Sequence, residues 1–199
     1  LEHETPVEDA TVFQAASLSK QITAFAILLL EQEGRLSIDD PVSAYLPEAG
    51  QWPLITLRRL MDHTNGLRDL GALLSMAGWR DEDLVTDQQA LDMVLAQHGA
   101  NFAPGEAFQY NFESGEIGGP AVFRRMEAVG RLNNGAESFY PYALGQERHI
   151  YKGRAVWSHG GRTGGFRSFL LRVPGERLAI SVLSNRSDID ASVLAYRIA

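Results

Sequence analysis

The chain has 199 residues, no cysteine, an apolar share of 45%, a charged share of 22% and a formal net charge of −7 at pH 7. Those figures bound it to one domain, or one large domain with a small companion, of ordinary globular composition. They exclude disulfides and thiolate metal sites, and they argue against a nucleic-acid partner, because Arg58-Arg59 and Arg124-Arg125 are the only near-clusters of basic residues.

In chain order, Leu1-Glu2-His3-Glu4-Thr5-Pro6 is acidic and polar and does not read as a signal peptide. An extended stretch, Thr11 to Ala16, runs into a helix expected from Ser17 to about Glu33, with Gly34 as its stop. Ile22, Ala24, Phe25, Ala26, Ile27, Leu28, Leu29 and Leu30 cover almost its whole circumference, which marks a helix buried in a larger body. The run from Ala24 to Leu30 is too short to span a bilayer. Asp39-Asp40-Pro41 reads as cap and first turn of a short helix, Val42 to Leu46, stopped by Pro47. Thr56 caps a helix from Leu57 to Asp62, left through the glycine turn His63-Thr64-Asn65-Gly66. Thr86-Asp87 opens another helix, ending at His98-Gly99, and Phe102-Ala103-Pro104-Gly105 turns the chain toward Tyr110.

The last third changes character. Ala155 to Ser158 is strand-like and leads into His159-Gly160-Gly161. Phe166 to Val173 and Leu178 to Ser184 read as two more strands around the turn Pro174-Gly175-Glu176-Arg177, the last apolar enough to be central. Ala191 to Ile198 reads as a closing helix. Early helices and a late antiparallel meander give an α/β fold of the α+β kind, an antiparallel sheet flanked by helices. The expectation is a single domain over 1–199. Residues 1–16 and 155–199 form its sheet side and 17–154 a mainly helical portion.

The chemistry centres on Ser17-Leu18-Ser19-Lys20. A serine and a lysine three apart share one helix face. A serine at a helix start also lies at the positive end of the dipole, beside backbone N–H groups without partners. Acyl transfer needs that convergence: an amine to take the hydroxyl proton and N–H groups to hold an oxyanion. S-x-x-K alone is a weak signal, but this chain has only two lysines, Lys20 and Lys152. Tyr110, His63 and the three tryptophans, each taken alone, read as packing residues. His159, taken alone, reads as a strand-end histidine. The histidines at 3, 63, 98, 149 and 159 make no H-E-x-x-H pair, so no metal or other cofactor is expected.

Three separated stretches together resemble the serine hydrolases of the penicillin-binding and class C β-lactamase type, with the related esterases and D-amino-acid peptidases. They are Phe13 to Gln21 with Gly34 to Pro41; Ile55 to Leu67 with Pro104-Gly105 and Tyr110-Asn111; and His159-Gly160-Gly161 with Gly164 to Ser168 and Leu183-Ser184-Asn185. The resemblance implies that Ser17 is the nucleophile, Lys20 its partner, Tyr110 a proton shuttle, and His159 the residue in place of a family lysine. It implies an oxyanion hole from the backbone N–H groups of Ser17 and Arg162. Asn111, Gly160 and Gly161 would bind substrate, the glycines leaving the strand edge clear. A cationic Lys20 would favour an ionised Tyr110, and burial would favour a neutral lysine, so the general base stays open between the two.

The implied reaction is hydrolysis of an ester, amide or lactam carbonyl through an acyl-Ser17 intermediate. The substrate would be a small molecule or peptide-like, and esterase or peptidase activity is favoured over strong β-lactamase activity. An inactive relative that binds a peptide or cell-wall fragment is the alternative. Many relatives act outside the cytoplasmic membrane, so a periplasmic or secreted place is the corresponding expectation. The oligomeric state is open. Phe112 stands where the family pattern has asparagine, the N-terminal strands and part of the helical region are missing, and texture breaks near 111–112 and 120–121. The sequence is therefore expected to be ordered pieces of a longer chain.

Overall fold

The computed structural model describes residues 6–80, 83–110, 127 and 129–199. Its helices are α1 (Lys20–Gln32), α2 (Leu57–Met61), α3 (Leu70–Met76), α4 (Asp87–Leu95) and α5 (Ala191–Ile198). Its strands are β1 (Tyr142–Ala143), β2 (Gln146–Tyr151), β3 (Arg154–Thr163), β4 (Phe166–Val173) and β5 (Leu178–Ser184). They form one antiparallel meander in the order β1-β2-β3-β4-β5. No helix among the described residues is long and apolar enough to cross a membrane.

Local chemistry explains most boundaries. Thr56 accepts from Arg59 N–H at the start of α2, and Asp190 accepts from Ser192 and Val193 N–H at the start of α5. Thr86 and Gln89 make a reciprocal capping box on α4. Gly34, at φ +70°, ends α1.

Four expectations need correction. The first helix is not α-helical from Ser17: Ala16–Ser19 is a 3-10 turn, and α1 begins at Lys20. Residues 42–46 are too short a stretch between two prolines to wind an α-helix and form only a 3-10 turn, Val42–Ala44. Asp40 does not cap it; its carboxylate accepts from Ser37 N–H and the Tyr45 hydroxyl instead. The sheet side does not begin at 155, because β1 and β2 precede it, and described residues 6–15 carry no strand. Lys152 (φ +48°) and Gly153 (φ +77°) make the two-residue turn that joins β2 to β3. Finally, β5 is the outermost strand among the described residues rather than a central one. Its continuous apolar run has two faces. Ile180 is buried and Val182 packs beside it in the core that includes α5, while Leu183 is open.

The sheet has two differently employed faces. Val156, Phe169, Leu171, Val173 and Ile180 pack against Ala191 and Ala195 of α5. By strand alternation, His159, Gly161 and Ser168 face the other way, toward the turn that carries Ser17. On α1, Ala24, Phe25 and Leu28 bury with Ile38, Met61 and Leu144, while Ile27 and Leu29 are only partly covered.

Candidate active site

Two glycines hold the Ser17 turn from opposite ends. A Cβ on Gly161 would lie 2.1 Å from the Ala15 carbonyl oxygen and 2.3 Å from Ser168 Oγ. The absence of that Cβ lets Ala15 approach β3, where its carbonyl accepts from the Ser168 hydroxyl at 2.7 Å. At the other end, a Cβ on Gly145 (φ +76°) would lie 2.5 Å from Gln21 Cα. Between them Ala16 sits at φ +52°, a left-handed backbone that a non-glycine residue adopts only at a cost.

That turn presents Ser17 to a cavity of about 870 Å³ also lined by Tyr110, His159, Gly160, Gly161 and Arg162. Buried Lys20 sends its Nζ to within 3.4 Å of Ser17 Oγ, donating a hydrogen bond. The same Nζ stands 5.0 Å from the centroid of the Tyr110 ring. Lys20 therefore lies over the face of the ring. Burial raises the Tyr110 pKa above the phenol's ordinary value, the Ser17 hydrogen bond opposes that rise, and Glu147 adds to it. Desolvation is the largest of these influences, contrary to the depression by Lys20 expected from the sequence, and Tyr110 rests as a neutral phenol.

His159 is buried in β3. Its Nδ1–H donates to the Gly160 carbonyl at 2.6 Å, which leaves Nε2 as acceptor. Nε2 accepts from the Tyr142 hydroxyl at 2.8 Å and lies 3.5 Å from the Tyr110 hydroxyl. Burial lowers its pKa to about 4, with the Gly160 bond opposing and the Lys20 charge assisting. His63 takes φ +60°, and its carbonyl accepts from Gln109 N–H at 2.9 Å. Its ring centroid is 4.4 Å from that of Tyr110 and 4.8 Å from that of Tyr142. Thr64 and Gly66 carbonyls take Gly105 and Asn101 N–H groups at 2.8 Å each. The glycine turn after α2 thus docks the segment that delivers Tyr110.

Backbone geometry orients the two oxyanion candidates. Pairing of β2 with β3 ends at Glu147↔Ser158, so residues 159–163 extend past it with an edge that is free of strand partners among the described residues. Thr163↔Phe166 flanks the two-residue turn Gly164-Gly165. In such a hairpin the flanking pair exchanges hydrogen bonds, so Arg162 N–H turns away from β4, toward that free edge. Ser17 N–H, at the start of its turn, has no acceptor within the helix.

The structure thus brings Ser17, Lys20, Tyr110, His159, Gly160, Gly161 and Arg162 together. The room made by glycine at 161 is filled by Ala15 rather than left for a ligand, whereas a Cβ on Gly160 would meet the Phe169 ring only at 3.5 Å. Asn111 and both texture breaks lie outside the described residues. Sequence reasoning missed Tyr142, the partner of His159, and the cavity residues Phe108, Tyr140 and Glu147. The only signal available was the Tyr142-Ala143-Leu144-Gly145 turn, whose glycine touches α1.

The chain is similar to known proteins in both sequence and fold. Residues 1–124 match the family model described as Beta-lactamase. The chain is 34% identical over 107 residues to "Penicillin-binding protein 4*" of Bacillus subtilis, covering 53% of this chain and 23% of that protein. It is 33% identical over 128 residues to "Esterase EstB" of Burkholderia gladioli, covering 57% and 32%. It therefore spans only about a quarter to a third of the length of these curated relatives. Its fold superposes on the octameric penicillin-binding protein homologue from Pyrococcus abyssi with a TM-score of 0.80 and 17% identity, over 99% of this chain and 67% of that one.

Proposed function

Since the chain belongs to the beta-lactamase family, we propose that it is a serine acyl hydrolase acting on an ester, amide or lactam carbonyl through an acyl-Ser17 intermediate. The observation that carries the reading is the Ser17–Lys20 contact of 3.4 Å in a cavity shared with Tyr110 and His159. Ser17 Oγ attacks the carbonyl carbon, and its proton passes to Lys20 Nζ in the free-amine form, 3.4 Å away. The oxyanion is held by the N–H groups of Ser17 and Arg162. As the tetrahedral adduct collapses, the neutral Tyr110 phenol gives its proton to the leaving group and recovers one from Lys20. A water molecule then attacks the acyl-serine, Lys20 takes its proton, and that proton returns to Ser17 Oγ as the acid leaves. Each half-reaction returns the amine and the phenol to their starting protonation states, and the second restores the serine hydroxyl.

His159 favours esters and amides over β-lactams with a carboxylate. With its pKa near 4 it is uncharged at neutral pH, and a neutral imidazole attracts an anion less than an ammonium does. The test is steady-state turnover of p-nitrophenyl butyrate, a D-amino-acid amide and a chromogenic cephalosporin by the chain and by Ser17→Ala. The ester and amide should be cleaved faster than the cephalosporin, and Ser17→Ala should cleave none. Turnover surviving in Ser17→Ala contradicts the nucleophile, and a preferred cephalosporin contradicts the substrate ordering.

A further inference from the structure

One wall of the cavity takes no part in that reaction. Glu147, near the start of β2, lines it beside Tyr140 and Phe108. Its carboxylate is half-buried, and Tyr140 is its hydrogen-bonding neighbour. Among the described residues no lysine, arginine or histidine pairs with it; the groups that feel its charge are Tyr110, Tyr140, Tyr142 and Tyr196.

The other acids that line the cavity, Asp188 and Asp190, are differently placed. Asp188 is held by Arg186 at 3.0 Å, and Asp190 caps α5. Around Glu147 the rings form a patch: Phe108 stacks on Tyr140 with centroids 5.5 Å apart, and Tyr142 lies 5.7 Å from Phe108. Ring faces are electron-rich, so they share the sign of the carboxylate. A half-buried carboxylate that pairs with no cation among the described residues, set among aromatic rings, matches the chemistry of an alkylammonium ion: charge for the head and π-faces for its flanks.

We propose that Glu147, Tyr140 and Phe108 form a subsite for a cationic amine of the substrate, making aminoacyl esters and amides with a free ammonium the preferred substrates. That the amine belongs to a substrate rests on the hydrolase reading; that the wall binds a cation does not.

The test compares alanine p-nitroanilide with its N-acetyl counterpart, in both D and L forms, on the chain, Glu147→Gln and Glu147→Asp. The chain should favour the free amine by about tenfold or more in kcat/KM. Glu147→Gln should bring the ratio toward one, and Glu147→Asp should retain it. Because each ratio is taken within one protein, loss of folded material cancels. In parallel, calorimetry measures binding of n-butylammonium against 1-butanol, which needs no turnover. The ammonium should bind about tenfold tighter to the chain and lose that advantage in Glu147→Gln. An ammonium advantage that is absent, or that survives Glu147→Gln, overturns the subsite whether or not any anilide is cleaved. Hydrolysis lost while the Glu147-dependent binding persists overturns the hydrolase reading and leaves the subsite standing.

Discussion

Tyr110 and His159 are two residues whose neighbours decide their states. Tyr110 carries Lys20 on its ring face and a raised pKa, and the proposed mechanism gives it the part of proton donor and relay. Tyr110→Phe keeps that ring and removes only the hydroxyl. It should lower kcat on an amide by roughly 10²–10⁴-fold with a much smaller change in KM; an unchanged kcat contradicts the relay. His159 Nε2 depends on the buried Tyr142 hydroxyl, 2.8 Å away. Tyr142→Phe removes that donor and should lower unfolding free energy by about 1–3 kcal/mol, measured by urea denaturation. A variant as stable as the parent would show that another donor serves Nε2.

At the scale of elements, the reactive turn is held by contacts that only glycine permits. Gly161→Ala pushes a methyl group onto the Ala15 carbonyl, a backbone atom that cannot swing aside. It should cost about 1–3 kcal/mol and lower turnover together with stability. Gly160→Ala meets only a ring at van der Waals distance and should cost about 0.5 kcal/mol or less. Equal unfolding midpoints for the two variants would contradict the clamp. Much of this framework was legible before any coordinates. The caps Thr56 and Thr86 marked α2 and α4, and apolar runs marked β3, β4 and β5. Three elements were not legible, of which β1, at two residues, is too short to carry a pattern. β2, with Gln146-Glu147-Arg148-His149, is too polar to show a strand period, because its residues serve the site and the edge rather than a core. α3 spans seven residues around a glycine and relies on its Asp69 cap. The site divided the same way. Ser17, Lys20 and His159 are weak signals one by one and became candidates only through the order of the three motif stretches. Tyr142 and Glu147 are single residues whose meaning comes only from what the sheet sets beside them.

For the whole molecule, the buried imidazoles couple stability to pH. His63 and His159 have folded pKa values of about 3 and about 4, below the ordinary 6.5. Between those values and 6.5 the unfolded chain binds more protons than the folded one. Their contribution is complete above pH 6.5 and is lost as pH falls toward 4. The slope approaches about 1.4 kcal/mol per pH unit for each histidine well inside that window. Asp62 and Glu147, raised by burial, oppose this in the acid range where carboxylates take up protons. The urea midpoint should therefore drop between pH 7 and pH 5.5, and drop less in His63→Gln; a flat profile contradicts two neutral buried imidazoles. The fold brings positions 17, 110 and 159 to one cavity, with Lys20 hydrogen-bonded to Ser17, and the direct test of the proposed hydrolysis is covalent. The chain and Ser17→Ala are each incubated with a fluorophosphonate, digested, and read by peptide mass spectrometry. The expected result is a single adduct on the peptide bearing Ser17, absent from the variant. An adduct on another residue, or labelling undiminished in Ser17→Ala, contradicts the assignment.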